Sequence, residues 1–208
     1  MKRKQEKALI GYYFITDAAL SRNGNLSDVK NAVLAGVRFI QYRSKGSCAR
    51  RMCAEAVKLR RLCCNATFLV NDRVDVALAS GADGVHLGQD DFPCVLARRV
   101  LGRKAIIGVT VHNLKEAKKA EAEGADYVAA SPIFFTTTKK DAVRPLGLGL
   151  IGRLRRHLCI PLVAVGGINL SNAKEVVAAG ADGLCAVSAV VASSNVRSQI
   201  RRFQELFK

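Results

Sequence analysis

The chain is expected to be α/β and to close into a single-domain (β/α)8 barrel of the TIM type, and three observations carry that expectation. Eight short apolar runs alternate with eight segments of helical period over 208 residues. Strict alternation of strand and helix implies a parallel sheet. A motif recurs at the turn from helix into every second strand: Gly36-Val37-Arg38, Gly81-Ala82-Asp83, Gly124-Ala125-Asp126 and Gly180-Ala181-Asp182, at spacings of 45, 43 and 56 residues. One βαβα unit is therefore used four times, and eight pairs in about 200 residues suit a compact barrel. Finally, no GxGxxG follows the first strand, which argues against an open, doubly wound dinucleotide-binding sheet.

Taken in order, the strands are expected at 12–16, 38–43, 67–71, 84–87, 105–109, 127–131, 162–165 and 183–187. Helices are expected near 27–35, 47–63, 73–79, 93–101, 113–123, 147–157, 171–179 and 195–207. Ser27, Asn113 and Ser171 suit N-caps, because a short polar side chain can accept an orphan amide of the first turn. Pro93 suits a first helical turn, and Gly36, Gly81, Gly124 and Gly180 suit the left-handed residue that ends a helix. No linker or low-complexity stretch divides the chain, so the barrel is expected to span 1–208, with 1–10 as a basic lead-in.

Composition narrows the function classes. Half of the residues are hydrophobic, enough for one sizeable core. Lys and Arg number 33 against 17 Asp and Glu, a formal charge of +16, which points toward anionic partners. However, the cations come as scattered pairs in the expected helices (Arg60-Arg61, Arg98-Arg99, Arg155-Arg156 among them), aromatics are 6% and Trp is absent. That pattern fits solvated helix faces and an anionic substrate better than a base-stacking nucleic-acid platform. Seven cysteines form no CxxC and leave one over, so neither a disulfide framework nor a zinc site is expected, and the thiols read mostly as core fillers. The basic start is too short in apolar residues for a signal peptide, and Gly180, Asp182 and Gly183 interrupt the apolar stretch 176–192. A cytoplasmic protein without a membrane partner is expected, and oligomeric state has no signature in the sequence.

In such barrels the chemistry gathers where strands end. The second strand ends Gln41-Tyr42-Arg43-Ser44-Lys45; in an extended chain Gln41, Arg43 and Lys45 point the same way, into the barrel mouth. The third and fourth strands bring Asn71-Asp72 and Asp91. Each Asp would serve as a helix cap, but two carboxylates on neighbouring strands beside a basic cluster suit Mg2+ on a diphosphate. His86 reads as a hydrogen-bonded site residue, since Mg2+ prefers oxygen. Thr110 ends the fifth strand, and the sixth runs from Ser131-Pro132 into a connection of about 15 residues with Thr136, Thr137, Thr138 and Lys139, long beside the usual two to six. Gly166-Gly167 and Val187-Ser188 end the seventh and eighth strands, the usual phosphate position of the barrel.

These stretches, Gln-Tyr-Arg-Ser-Lys at 41–45, Asn-Asp-Arg at 71–73, Gly-Val-His-Leu-Gly-Gln-Asp-Asp at 84–91, Ser-Pro-Ile-Phe-Phe-Thr-Thr-Thr-Lys at 131–139 and Ala-Val-Gly-Gly-Ile at 164–168, resemble the thiamine phosphate synthase family in order and over nearly the whole chain. The resemblance implies a transferase that joins 4-amino-2-methyl-5-(diphosphooxymethyl)pyrimidine to a thiazole phosphate, releasing diphosphate. It implies that Gln41, Tyr42, Arg43, Ser44, Lys45, Asn71, Thr110 and Lys139 hold the pyrimidine diphosphate, with Arg43, Lys45, Thr110 and Lys139 assisting catalysis. It places one Mg2+ on Asp72 and Asp91, and the thiazole phosphate on Thr136, Thr137, Thr138, Gly167, Val187 and Ser188. Thr110 stands where that family usually has Ser, and Ser131 where Gly is common, which would crowd the thiazole side. The related thiazole tautomerases share the barrel but generally lack the Thr-x-Thr-Lys loop. A tautomerase-like or other phosphate-binding barrel is the alternative enzyme reading, and a basic nucleic-acid-binding protein the alternative of another class.

Overall fold

In the computed structural model, which describes residues 11–138 and 144–208, eight parallel strands close into a barrel in sequence order. The expected lead-in at 1–10 lies outside the described residues. The strands are β1 (Gly11–Ile15), β2 (Phe39–Tyr42), β3 (Thr67–Asn71), β4 (Gly84–Leu87), β5 (Ile106–Val111), β6 (Tyr127–Ala130), β7 (Leu162–Val165) and β8 (Gly183–Cys185). The helices are α1 (Gly24–Leu34), α2 (Ala49–Leu62), α3 (Val74–Ser80), α4 (Cys94–Leu101), α5 (Leu114–Ala122), α6 (Leu148–Arg155), α7 (Ala173–Ala178), α8 (Val187–Val191) and α9 (Val196–Gln204), with a closing 3-10 turn at Glu205–Phe207. None of these helices is long and apolar enough to cross a membrane.

The two-residue period of the strands sorts the core into two compartments. Tyr12, Phe14, Ile40, Phe68, Val70, Val85 and Ile107 face the helices and join the larger outer cluster. Helices pack on it through single stripes: Met52, Ala56 and Leu59 on α2, and Val196, Ile200 and Phe203 on α9, spaced three and four apart as a helix requires. Phe203 stacks on Tyr12 at 5.3 Å, and its burial contributes about 1.5–3 kcal/mol. The residues between, Tyr13, Ile15, Phe39, Leu69, Tyr127, Ala129, Val163 and Cys185, fill the barrel itself. Glycine makes that filling possible in one place. A Cβ on Gly108 would lie 2.0 Å from the Tyr127 ring, so the tyrosine crosses the barrel only because β5 has no side chain there.

The recurring motif has a physical task. Asp83, Asp126 and Asp182 each accept the first free amide of the neighbouring strand, from Phe68 (2.8 Å), Ile107 (2.9 Å) and Leu162 (2.8 Å). Each is also paired with an arginine of the helix that leads into that neighbouring strand, Arg60 on α2 (3.3 Å), Arg98 on α4 (2.5 Å) and Arg155 on α6 (2.7 Å). The same arginines donate to carbonyls at helix ends, Arg60 to Gly81 and Arg98 to Gly124 at 3.0 Å each. These three cations, expected as solvated charges, are structural clamps at the end of the barrel where the strands begin.

Several boundaries differ from expectation. α1 begins at Gly24 rather than near Ser27, because Ser21 Oγ accepts the amides of Asn23 and Gly24 and so starts the turn earlier. Asn113 caps α5 as expected, accepting the Glu116 amide at 2.9 Å, whereas Ser171 bonds to Asn169 and the helix starts after Asn172. Pro93 stands at the N-cap of α4, one position before the first turn. β5 runs to Val111, placing Thr110 within the strand, and β8 stops at Cys185, paired with Val165, so Val187 and Ser188 open a short helix instead of extending the strand. Of the seven free thiols, Cys63, Cys94 and Cys185 are buried while Cys48, Cys64 and Cys159 are exposed, so core filling describes only part of the set.

Candidate active site

At the ends of the strands the inward-facing side chains surround a solvent-open cavity of about 810 Å³. Gln41, Arg43, Asn71 and Thr110 line it from β2, β3 and β5, and Thr136, Thr138, Gly167, Val187 and Ser188 line it from the loops after β6, β7 and β8. An apolar wall of Ile15, Ala129, Val165 and Cys185 separates the two polar sets from the packed barrel below. The sequence-expected groups from six distant segments thus meet in one space.

The strand period divides the 41–45 segment. Gln41 and Arg43 face the cavity, but the Tyr42 hydroxyl donates to Glu55 on α2 at 2.6 Å and Ser44 Oγ donates to Ser47 at 3.0 Å. Alternation turns the Tyr42 side chain toward the outer layer, while Ser44 lies beyond the end of β2. Two neighbours that sequence reading left unused hold Arg43. Its amide donates to Thr16 Oγ1 at 2.9 Å, and its guanidinium meets Asp17 at 2.7 Å. Asp17 is itself fixed by the amides of Ala19 and Leu20.

Lys45 lies at the rim, its side chain 58% exposed, with Nζ 2.7 Å from Asp72 Oδ2. Asp72 has φ +62°, the only non-glycine residue in the left-handed region among the described residues, a conformation Asp tolerates better than most. Its amide donates to the His86 carbonyl at 2.8 Å, so the turn is pinned to β4. Asp91 Oδ2 accepts the Gly88 amide at 2.6 Å. Neither carboxylate caps the following helix: α3 and α4 have no side-chain cap. The two carboxyl groups interact directly. Burial pushes Asp72 up, but its bonds to Asp91 and Lys45 outweigh that and hold it below the usual carboxylate range. Burial, then the Asp72 carboxylate, pushes Asp91 above it.

The Thr-rich loop also alternates. Thr136 and Thr138 line the cavity, with the Thr138 amide bonded to Thr136 Oγ1 at 3.2 Å, while Thr137 is exposed outside it. Lys139 lies outside the described residues. The loop is seated on the β7 turn, where Ile133 and Phe134 donate to the carbonyls of Val165 and Gly166 at 2.9 and 3.0 Å. A Cβ on Gly166 would lie 2.6 Å from Pro132 Cβ, and one on Gly167 2.4 Å from the Phe135 carbonyl oxygen. The Gly-Gly pair therefore sets the fit of the loop as well as freeing backbone toward a ligand. Ser131 lines the cavity on this side. His112 turns away and pairs with Glu116 at 2.9 Å.

Below the mouth, His86 bonds through Nε2 to Thr110 Oγ1 (2.9 Å) and through Nδ1 to the Tyr127 hydroxyl (2.8 Å). Tyr127 and Tyr13 were missed as site residues. An apolar run with tyrosine at its inward-facing position and glycine opposite was the available signal.

A closed (β/α)8 barrel whose mouth gathers cations, a carboxylate pair, threonines and a glycine turn belongs to the class of barrel enzymes that act on small phosphorylated molecules. Comparison with known proteins sharpens the class. The family model described as thiamine monophosphate synthase matches residues 12–190, and the chain belongs to that family, whose members are transferases. Thiamine-phosphate synthase of Chloroflexus aurantiacus is 50% identical over 197 residues, covering 93% of this chain and 91% of its own. The protein of that name from Methanosarcina mazei is 48% identical over 200 residues, covering 96% and 83%. The structure of thiamine phosphate pyrophosphorylase from Pyrococcus furiosus superimposes with a TM-score of 0.88 at 38% identity, covering 98% and 97%.

Proposed function

We propose that the cavity joins 4-amino-2-methyl-5-(diphosphooxymethyl)pyrimidine to a thiazole phosphate, giving thiamine phosphate and diphosphate. The observation that carries the reading is the two-sided cavity, with Gln41, Arg43, Asn71 and Thr110 on one wall and Thr136, Thr138, Gly167 and Ser188 on the other. Two phosphorylated partners would be held face to face, so that alignment supplies much of the rate.

No protein nucleophile is needed. The electron-rich aminopyrimidine tolerates positive charge on its methylene carbon as the bond to the diphosphate oxygen breaks, and the thiazole nitrogen then bonds to that carbon. Arg43, fixed by Asp17 and Thr16, Lys45 at the rim and Lys139 would stabilise the departing charge. On the other wall, the Thr136 and Thr138 hydroxyls and the backbone at Gly167, Val187 and Ser188 would hold the thiazole phosphate. The Asp72–Asp91 pair fits one Mg2+. A hard cation takes one or two carboxylates with substrate oxygens completing its shell, and the two carboxyl groups here interact directly. When bound, Mg2+ would neutralise charge on the diphosphate. The +16 charge finds part of its use in these anions and part in the Arg–Asp clamps.

The test is Mg2+-dependent diphosphate release with both precursors, on wild type, Asp91→Ala and Lys139→Ala. Turnover should fall by about 10²-fold or more in each variant, with a smaller change in affinity. A wild-type protein that releases no diphosphate would overturn the reading, and full activity in a variant would overturn that residue's role.

A further inference from the structure

The cavity floor contains an unbroken hydrogen-bonded chain that crosses five strands. Gln41 Nε2 donates to the Tyr13 hydroxyl at 2.7 Å, Tyr13 and Tyr127 share a bond of 2.9 Å, Tyr127 meets His86 Nδ1 at 2.8 Å, and His86 Nε2 meets Thr110 Oγ1 at 2.9 Å. All five side chains are buried, and its two ends, Gln41 and Thr110, both line the cavity.

Proton counting gives the chain a direction. Burial pushes both phenols far above the ordinary tyrosine range, so each keeps one proton to donate. Tyr13 accepts from Gln41 and must therefore give its own proton to Tyr127. Tyr127 then gives its proton to His86 Nδ1, which leaves a neutral imidazole with its proton on Nε2, donated to Thr110. With Gln41 donating to Tyr13, this order gives every proton of the chain an acceptor; the fully reversed order does so as well, but only with the Gln41 amide turned over. The amide oxygen of Gln41 is thus left for the cavity. Turning that amide over would require the other four members to reverse as well.

We propose that Tyr127, which the ligand need not touch, is a positioning residue for specificity: through Tyr13 it locks Gln41 with its carbonyl oxygen toward the ligand's exocyclic amine. The pocket then accepts a 4-aminopyrimidine and rejects its 4-oxo counterpart, which would face oxygen with oxygen. The inference rests on the substrate proposed above. Its physical basis is that a site built around a fixed hydrogen-bonding partner discriminates by leaving the wrong ligand's polar group unpaired. Tyr127 is well held for the purpose, stacked on His86 at 5.5 Å and seated in the space left by Gly108.

Two measurements test it. Nitrogen-15 chemical shifts of His86 in the wild-type protein should report the neutral tautomer protonated at Nε2; protonation at Nδ1 overturns the assigned direction without any variant. In Tyr127→Phe, Tyr13 is free to donate to Gln41 and the amide can turn. The ratio of the inhibition constant of the 4-oxo pyrimidine diphosphate to the KM of the 4-amino substrate should fall at least tenfold. A folded variant that keeps the wild-type ratio overturns the proposal, while wild type inactive with both precursors overturns the function on which it rests.

Discussion

Replacing Gly167 by alanine tests how the thiazole side of the cavity is built. The new Cβ would lie 2.4 Å from the Phe135 carbonyl oxygen and 2.7 Å from Phe134 Cβ. Carbon and carbonyl oxygen come no closer than about 3.3 Å, so the loop bearing Thr136 and Thr138 must retreat by about 0.9 Å. The residue also sits at φ +65°, which costs an alanine about 1–2 kcal/mol more. A displacement of about 1 Å at a positioning group costs up to 10²-fold in rate. We expect kcat/KM for the thiazole phosphate to fall by about 10- to 100-fold and that for the pyrimidine diphosphate by less than tenfold. Steady-state diphosphate release, varying each substrate against saturating partner, reads both. An unchanged thiazole phosphate kcat/KM, or losses equal on both substrates, would refute the argument that this turn seats the loop.

Three further outcomes follow from the geometry. Asp126→Ala strips the Ile107 amide and Arg98 of a partner in the least exposed of the three clamps, with side chains 12% and 20% accessible, and should cost about 3 kcal/mol, or about 6–12 °C in Tm. Asp83→Ala and Asp182→Ala, whose clamps are about one-third exposed, should cost about half as much by calorimetry, and a reversed order would count against the clamp. Asp28 is buried in α1 with neither carboxylate oxygen bonded among the described residues, and burial raises its pKa with only a small offset from Ser21. A raised carboxyl pKa means the folded state holds its proton more tightly, so this group contributes less stability as pH rises above the ordinary carboxylate value. Asp28→Asn should therefore stabilise by about 1 kcal/mol near pH 8 and lose that advantage near pH 4 in urea titrations. At the mouth, raised Asp91 beside lowered Asp72 means that a proton competes with Mg2+ for the pair at acid pH. Affinity should rise with pH from the ordinary carboxylate value through Asp91's raised one, and calorimetry in buffers of different ionisation enthalpy should register proton release.

Much of the architecture was legible because it rests on local periodicity. Runs such as Phe68-Leu69-Val70 and the Gly-Ala-Asp turns mark strands and helix ends with no knowledge of partners. The same period predicted that Gln41 and Arg43 would share a face, and it turns the Tyr42 side chain away to Glu55. What stayed hidden depends on contacts across the barrel. Asp17 reaches Arg43 across 26 residues and Tyr13 reaches Tyr127 across 114. Each tyrosine sits in a run that otherwise reads as plain core, and the one signal, a glycine on the facing strand, becomes legible only once the strands are paired.

The Arg–Asp clamps also have a meaning in time. Three quarters of the barrel carry one, whereas the first has Arg38 where the others have aspartate. The three clamped joints should hold the strand amides they bind longest, so hydrogen exchange at Phe68, Ile107 and Leu162 should be among the slowest of the barrel. The clamps sit at the end of the barrel opposite the cavity, so the base is tied shut by arginine and aspartate while the mouth keeps its side chains for the candidate site.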